Sequence, residues 1–180
     1  ITKSVGYVAY VLYGGKINRS SIDKDNAINL AQSYLKNIGY KNMANTYYAI
    51  NNNVCVINFA YKKDDVTYYS DLIKVGVSMD NGKIVSLEAQ GYLTNHIKRK
   101  AFNCKLTKEQ AQSKLSKNLK VINSKRCVIP KESGNEVNCY EFRCKSNDTK
   151  EEVLIYINAY KGYEENIMLL LYSDGGTLTK

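Results

Sequence analysis

Val54-Cys55-Val56-Ile57-Asn58-Phe59 is answered 83 positions later by Val137-Asn138-Cys139-Tyr140-Glu141-Phe142. Both are short apolar runs of strand-forming residues, and each puts a phenylalanine at the same place. Ahead of the first run, Asp23 reads as a helix N-cap. Ala27, Ala31, Tyr34, Leu35 and Ile38 then fall at helical spacing until Gly39 stops the helix. Ahead of the second run, Thr107 takes the capping place with Gln110 where a capping box wants it, and Ala111, Leu115 and Leu119 form a thinner apolar stripe. Both helices are amphipathic and require a sheet to cover.

Beyond each run a second strand alternates. Ile73, Val75, Val77 and Met79 interleave with Leu72, Lys74, Gly76 and Ser78; Val153, Ile155 and Ile157 interleave with Leu154, Tyr156 and Asn158. A period of two predicts one buried and one wet face. Each strand enters a glycine turn, Asp80-Asn81-Gly82-Lys83 or Asn158-Ala159-Tyr160-Lys161-Gly162, and a last strand follows over residues 84–89 or 165–171. The chain is therefore expected to be α+β, two modules that each pack a helix on an antiparallel sheet. The expected boundaries are 20–100 and 101–180. Residues 1–19, strand-like over 7–13 with a Gly14-Gly15 turn and no helix before them, read as the closing strands of a preceding truncated repeat. The start at Ile1 without methionine reads as a piece of a longer protein.

Composition narrows the function. Modules of about 80 residues are small enough for their cores to be marginal, and no apolar run approaches the roughly 18 residues of a membrane span. The net charge of +9 comes from lysine, with arginine only at positions 19, 99, 126 and 143. Nucleic-acid readers favour arginine forks, and the lysines here are scattered, so no nucleic-acid role is expected. The local cluster His96-Ile97-Lys98-Arg99-Lys100, between the modules, reads either as a solvated linker or as a landing site for an acidic partner or an anionic wall polymer. His96, Lys98, Arg99 and Lys100 are the candidate partner-binding residues.

No catalytic, metal or cofactor residues are assigned. A zinc hydrolase needs two or three histidines and the chain has one. Cys55 and Cys139 lie mid-strand rather than at a helix N-terminus, where a thiolate would be stabilised. The acidic pairs Asp64-Asp65, Glu151-Glu152 and Glu164-Glu165 fall in turns or at strand ends, which does not place two carboxylates across a cleft. Gly14-Gly15 and Gly175-Gly176 lack the residues of a phosphate loop. The five cysteines show no metal spacing; Cys139 and Cys144 face opposite sides of one strand, and four of the five sit in or beside apolar strands, where cysteine behaves as a small hydrophobe, so no disulfide framework is expected and a reducing or anaerobic setting suits the chain. Sixteen tyrosines with no tryptophan include the pairs Tyr47-Tyr48 and Tyr68-Tyr69. Such pairs give one core ring and one cross-strand ring, or a stacking surface for sugars.

The helix openings at Asp23 and Thr107 and the strand-turn pattern resemble tandem PepSY domains. Gly39-Tyr40-Lys41-Asn42-Met43, Val56-Ile57-Asn58-Phe59-Ala60-Tyr61, Asp71-Leu72-Ile73-Lys74-Val75, Gly91-Tyr92-Leu93, Cys139-Tyr140-Glu141-Phe142 and Gly176-Thr177-Leu178-Thr179 are similar to the C-terminal region of YpeB spore germination proteins. The chain departs from that pattern at Ser70, where proline is expected, and at Ile97, where a polar residue is expected. The resemblance implies a non-enzymatic protein of the spore envelope, on the outer side of the inner membrane next to the cortex, anchored by an N-terminal segment absent here. It implies partnership with the cortex-lytic enzyme SleB, which it would stabilise, localise and restrain, enabling cortex peptidoglycan hydrolysis on germination. Cortex peptidoglycan is a second implied partner, and a peptidoglycan-binding scaffold without direct inhibition is the alternative.

Overall fold

Asp23 has an extended backbone and its carboxylate accepts from the Asn26 N–H at 2.8 Å, which starts helix α1 (Lys24–Asn37). The helix ends as the glycine requires. Gly39 takes φ +98°, Gly39 N–H donates to Lys36 O and Tyr40 N–H donates to Leu35 O, closing a Schellman turn. Ala27, Ala31 and Leu35 are fully buried, while Tyr34 and Ile38 pack at the margin of the same core. The computed structural model describes residues 6–15, 17, 19–173 and 176–179. It forms two compact units: Ile1–Lys62, Ser70–His96 and Ser173–Thr177 make one, and Lys63–Tyr69, Ile97–Tyr172 and Leu178–Lys180 the other. No helix among the described residues is long and apolar enough to cross a membrane.

In the first unit the strands are β1 (Tyr10–Leu12), β2 (Met43–Asn51), β3 (Val54–Lys63), β4 (Val66–Ser78) and β5 (Ile84–Glu88), followed by the short helix α2 (Gln90–Asn95). They lie side by side in the order β1-β5-β4-β3-β2. β1 runs antiparallel to β5, with Tyr10 opposite Glu88 and Leu12 opposite Ser86. Residues 1–5, 16 and 18 of the expected truncated repeat lie outside the described residues. Asn52 and Asn53, both at positive φ, make the two-residue turn from β2 to β3. One face of the sheet presents Cys55, Ile57, Phe59, Ile73, Val75, Val77 and Leu87 to α1, all buried. The period-two reading of β4 places Ile73, Val75 and Val77 there, while Gly76 and Ser78 of its expected wet phase are buried as well.

The second unit contains α3 (Lys108–Gln112) and the antiparallel strands β6 (Leu119–Pro130), β7 (Glu136–Ser146), β8 (Glu152–Asn158) and β9 (Glu164–Ser173), paired in that order. β10 (Gly176–Thr179) begins in the first unit, where Gly176 lies opposite Ala49 of β2. Both halves of the Thr107–Gln110 capping box form. The helix is nevertheless shorter than its stripe suggests. Ser113 Oγ donates back to Gln110 O at 2.8 Å, turns of three residues follow through Leu115, and Leu119 opens β6 instead of closing a helix. Serines at 113 and 116 compete for backbone groups, and only Ala111 of this helix is buried to hold it down.

The wet face expected for β8 is also absent. Leu154, Tyr156 and Asn158 are as buried as Ile155 and Ile157. Tyr156 meets the ring of Tyr69, from the part of β4 that belongs to the second unit, edge-on at 6.2 Å, and the Asn158 side chain accepts from the Tyr160 and Lys161 N–H groups and donates to Glu165. Alternation along one strand cannot reveal such contacts on its second face.

Candidate partner-binding site

The candidate residues begin where α2 ends. Gly91 sits so close to β4 that an added Cβ would lie 2.9 Å from Leu72 O, so the glycine is what lets the helix lie on the strand. Tyr92 is buried one turn further on. Its ring meets Tyr40 edge-on at 5.0 Å and stacks on the His96 ring at 4.2 Å with a 12° interplanar angle. Asn95 Nδ2 donates to Ser70 O and Gly91 O, and the His96 N–H closes the helix on Tyr92 O at 2.8 Å. The His96 Nδ1 lies 2.6 Å from Asp71 Oδ2, with the Tyr61 ring edge-on at 4.6 Å. Asp71 is fully buried and the His96 side chain is 32% exposed, so the chain's single imidazole closes over an interior carboxylate.

The cations after it differ from one another. Lys98 and Lys100 are exposed, as is Ile97 at 63%. Arg99 is turned inward, 10% exposed. Its Nε donates to Glu136 Oε2 at 2.7 Å and its Nη2 to Glu136 Oε1 at 2.6 Å, while the guanidinium lies 4.9 Å from the centre of the Tyr68 ring. The structure therefore gives His96 and Arg99 internal contacts and leaves Lys98 and Lys100 facing solvent.

Sequence reasoning missed Asp71 and Glu136, the partners of those two residues. For Asp71 a signal was present: it shares the parity of Ile73, Val75 and Val77, and a carboxylate on the apolar face of a strand requires a partner. A second interior carboxylate, Glu141, accepts from Tyr69 Oη at 2.5 Å and pairs with Lys125 Nζ at 3.2 Å. The Tyr68-Tyr69 pair thus divides between a buried ring beneath Arg99 and a ring that satisfies Glu141. Ser70 Oγ is buried with no hydrogen-bond partner among the described residues, so an apolar side chain would suit that position equally. Among the described residues no group of three or more histidine, cysteine or acidic side chains is placed to hold a metal.

The buried tyrosines of α2 and of the core it covers set an alkaline limit on the first unit. Burial, reinforced by neighbouring tyrosines, pushes Tyr40 up to about 12; Tyr92 is pushed to about 12 by burial, with Tyr7 and Asp71 adding to it. An unfolded tyrosine ionises near about 10, so from about pH 10 to 12 the unfolded chain has lost protons that the folded one keeps, and stability falls as pH rises. Absorbance at 295 nm and far-ultraviolet circular dichroism, followed together, are expected to show the last tyrosines ionising only as the fold is lost. Their free ionisation in a folded chain would contradict this environment.

A helix laid across an antiparallel sheet, once in each unit and capped at corresponding places, defines a pair of PepSY-type α+β modules. The chain belongs to the YpeB sporulation protein family: residues 1–102 match the model of the YpeB PepSY1 and PepSY2 domains. It is 35% identical over 167 residues to the sporulation protein YpeB of Halalkalibacterium halodurans and 31% identical over 170 residues to that of Bacillus subtilis. Each match covers 93% of this chain, which spans 37% of the length of either relative. Among solved structures it is similar to the Bacillus megaterium YpeB C-terminal domain, with a TM-score of 0.86 and 30% identity over 96% of this chain and 76% of that one.

Proposed function

We propose that this chain is a non-enzymatic binding element that stabilises, localises and restrains the cortex-lytic enzyme SleB in the dormant spore, so that cortex peptidoglycan is hydrolysed only on germination. Its place in this reading is the spore envelope, outside the inner membrane and next to the cortex, with a membrane anchor supplied by a part of the parent protein beyond this chain. Membership of a sporulation family provides the setting. The observation that carries the reading is β1, the edge strand of the first unit's sheet, where Tyr10 and Leu12 are 64% and 72% exposed and Tyr13 follows at 55%. An open strand edge with exposed apolar side chains is suited to pairing with an extended segment of another protein, which would gain backbone hydrogen bonds and two side-chain contacts. Lys98 and Lys100 add cations that steer an acidic partner.

The test is a titration of the chain into SleB, following binding and cortex hydrolysis together. Binding that slows hydrolysis is expected. The double variant Lys98→Glu/Lys100→Glu should weaken association by roughly tenfold at low salt, with little difference at high salt, because exposed charges act within a Debye length. No binding would sink the proposal.

One feature favours a second reading, a peptidoglycan scaffold that does not itself inhibit the enzyme. Tyr160 and Tyr163 are 53% and 45% exposed, with Lys105 over the first ring and Lys131 and Lys161 over the second. Sedimentation of the chain with purified cortex in the absence of enzyme would select that reading.

A further inference from the structure

The pairing of β6 with β7 brings Cys127 directly opposite Cys139. Side chains directly opposite on antiparallel strands project from the same face of the sheet. The Cys127 Sγ leans toward its partner strand, 3.7 Å from Cys139 O, and both cysteines are fully buried. Directly opposed residues have Cα atoms roughly 4.5–5.5 Å apart, inside the roughly 4.4–6.8 Å range of disulfides. The other strand cysteines lack this arrangement: Cys55 faces Ile50, and Cys144 faces Val121 and Val153, while Cys104 is exposed.

We propose that Cys127 and Cys139 are a latent cross-strand disulfide that closes by exchange with a low-molecular-weight disulfide and staples the β6–β7 hairpin. One protein thiolate attacks a sulfur of the small disulfide, forming a mixed disulfide and releasing one small thiolate, which takes up the proton given up by the protein thiol. The second cysteine, deprotonated in turn, attacks the protein sulfur of the mixed disulfide and expels the other small thiolate, which is protonated. Two electrons and two protons leave the protein, one S–S bond is exchanged for another, and two small thiols are the products. Burial pushes the Cys139 thiol up to about 12 and that of Cys127 well above its ordinary value. Thiolate is therefore scarce in the folded hairpin, and closure belongs to folding or to transient opening of these strands.

The test uses the chain with Cys104→Ser, which removes the exposed thiol. One sample is refolded from urea in a mixture of reduced and oxidised glutathione; a second, folded throughout, is held with oxidised glutathione a few degrees below its unfolding midpoint. Thiols are then blocked in urea with iodoacetamide and the chain is cut with trypsin. The expected product joins peptide 127–131 to peptide 132–143, two hydrogens lighter than the pair, with Cys55 and Cys144 alkylated. The joined form should unfold at higher urea than the same sample after reduction. Four alkylated thiols in both samples, glutathione left on Cys127 or Cys139, or a link that includes Cys55 or Cys144 would each overturn the assignment.

Discussion

Arg99→Glu is expected to destabilise the second unit by about 3 kcal/mol or more, the cost of leaving one member of a largely buried ion pair without its partner, with repulsion added. Arg99 is 10% exposed and Glu136 26%, and two hydrogen bonds hold the pair in a fork while Tyr68 lies against the guanidinium. Glutamate would bring like charges together there and remove the stacking. Arg99→Lys should recover only part of the loss, because an ammonium cannot make the planar two-point contact. Urea unfolding is the measurement: a lower midpoint with an unchanged slope is expected for Arg99→Glu. Lys98→Glu and Lys100→Glu, at exposed positions, should stay within about 0.5 kcal/mol of the parent chain. An Arg99→Glu variant as stable as the parent would mean that the fork contributes nothing to the fold. The practical consequence is that charge reversal of all three cations would confuse unfolding with lost recognition, so partner binding is tested on the two lysines alone.

His96→Ala is expected to cost the first unit about 2–3 kcal/mol, the cost of taking a hydrogen-bond partner from a buried carboxylate. The substitution removes the group 2.6 Å from the fully buried Asp71 carboxylate and also the ring stacked on Tyr92. His96→Phe separates the two effects by keeping an aromatic ring while removing the polar contact. If the carboxylate contact dominates, His96→Phe should lose nearly as much as His96→Ala. If His96→Phe unfolds at the same urea concentration as the parent, stacking alone holds α2 and the Asp71 contact is dispensable.

These results assign the His96–Lys100 cluster unequal roles. Side chains close in sequence have separate surroundings: His96 covers an interior carboxylate, Arg99 is forked onto Glu136, and Lys98 and Lys100 face solvent. Charge alone could not sort them, since an arginine in a basic run looks the same whether it faces water or a glutamate 37 positions away. Parity could have flagged Asp71, and through it a need for a nearby polar partner. No local pattern flags Glu136, because it opens a strand where an acidic residue is unremarkable.

What the sequence determined by itself were the features that act over a few residues. The cap at Asp23, the stop at Gly39, the capping box at Thr107 and Gln110, and the turns with Gly82 and Gly162 at positive φ all follow from local backbone chemistry. So does the apolar face of β4, which repeats every second residue. Tertiary structure decided the rest. Leu119 entered a strand because too little of the second helix was buried to hold it. Of the polar-phase residues of β8, Tyr156 meets the ring of Tyr69 and Asn158 is taken up by Glu165 and its own turn. Cys127 met Cys139 because register, set across two strands, chooses which side chains face each other. Local signals come from the few dihedral angles and hydrogen bonds that one segment controls. Burial on a second face, ion pairing and cross-strand register depend on segments far apart in the chain, and only the folded backbone brings those together.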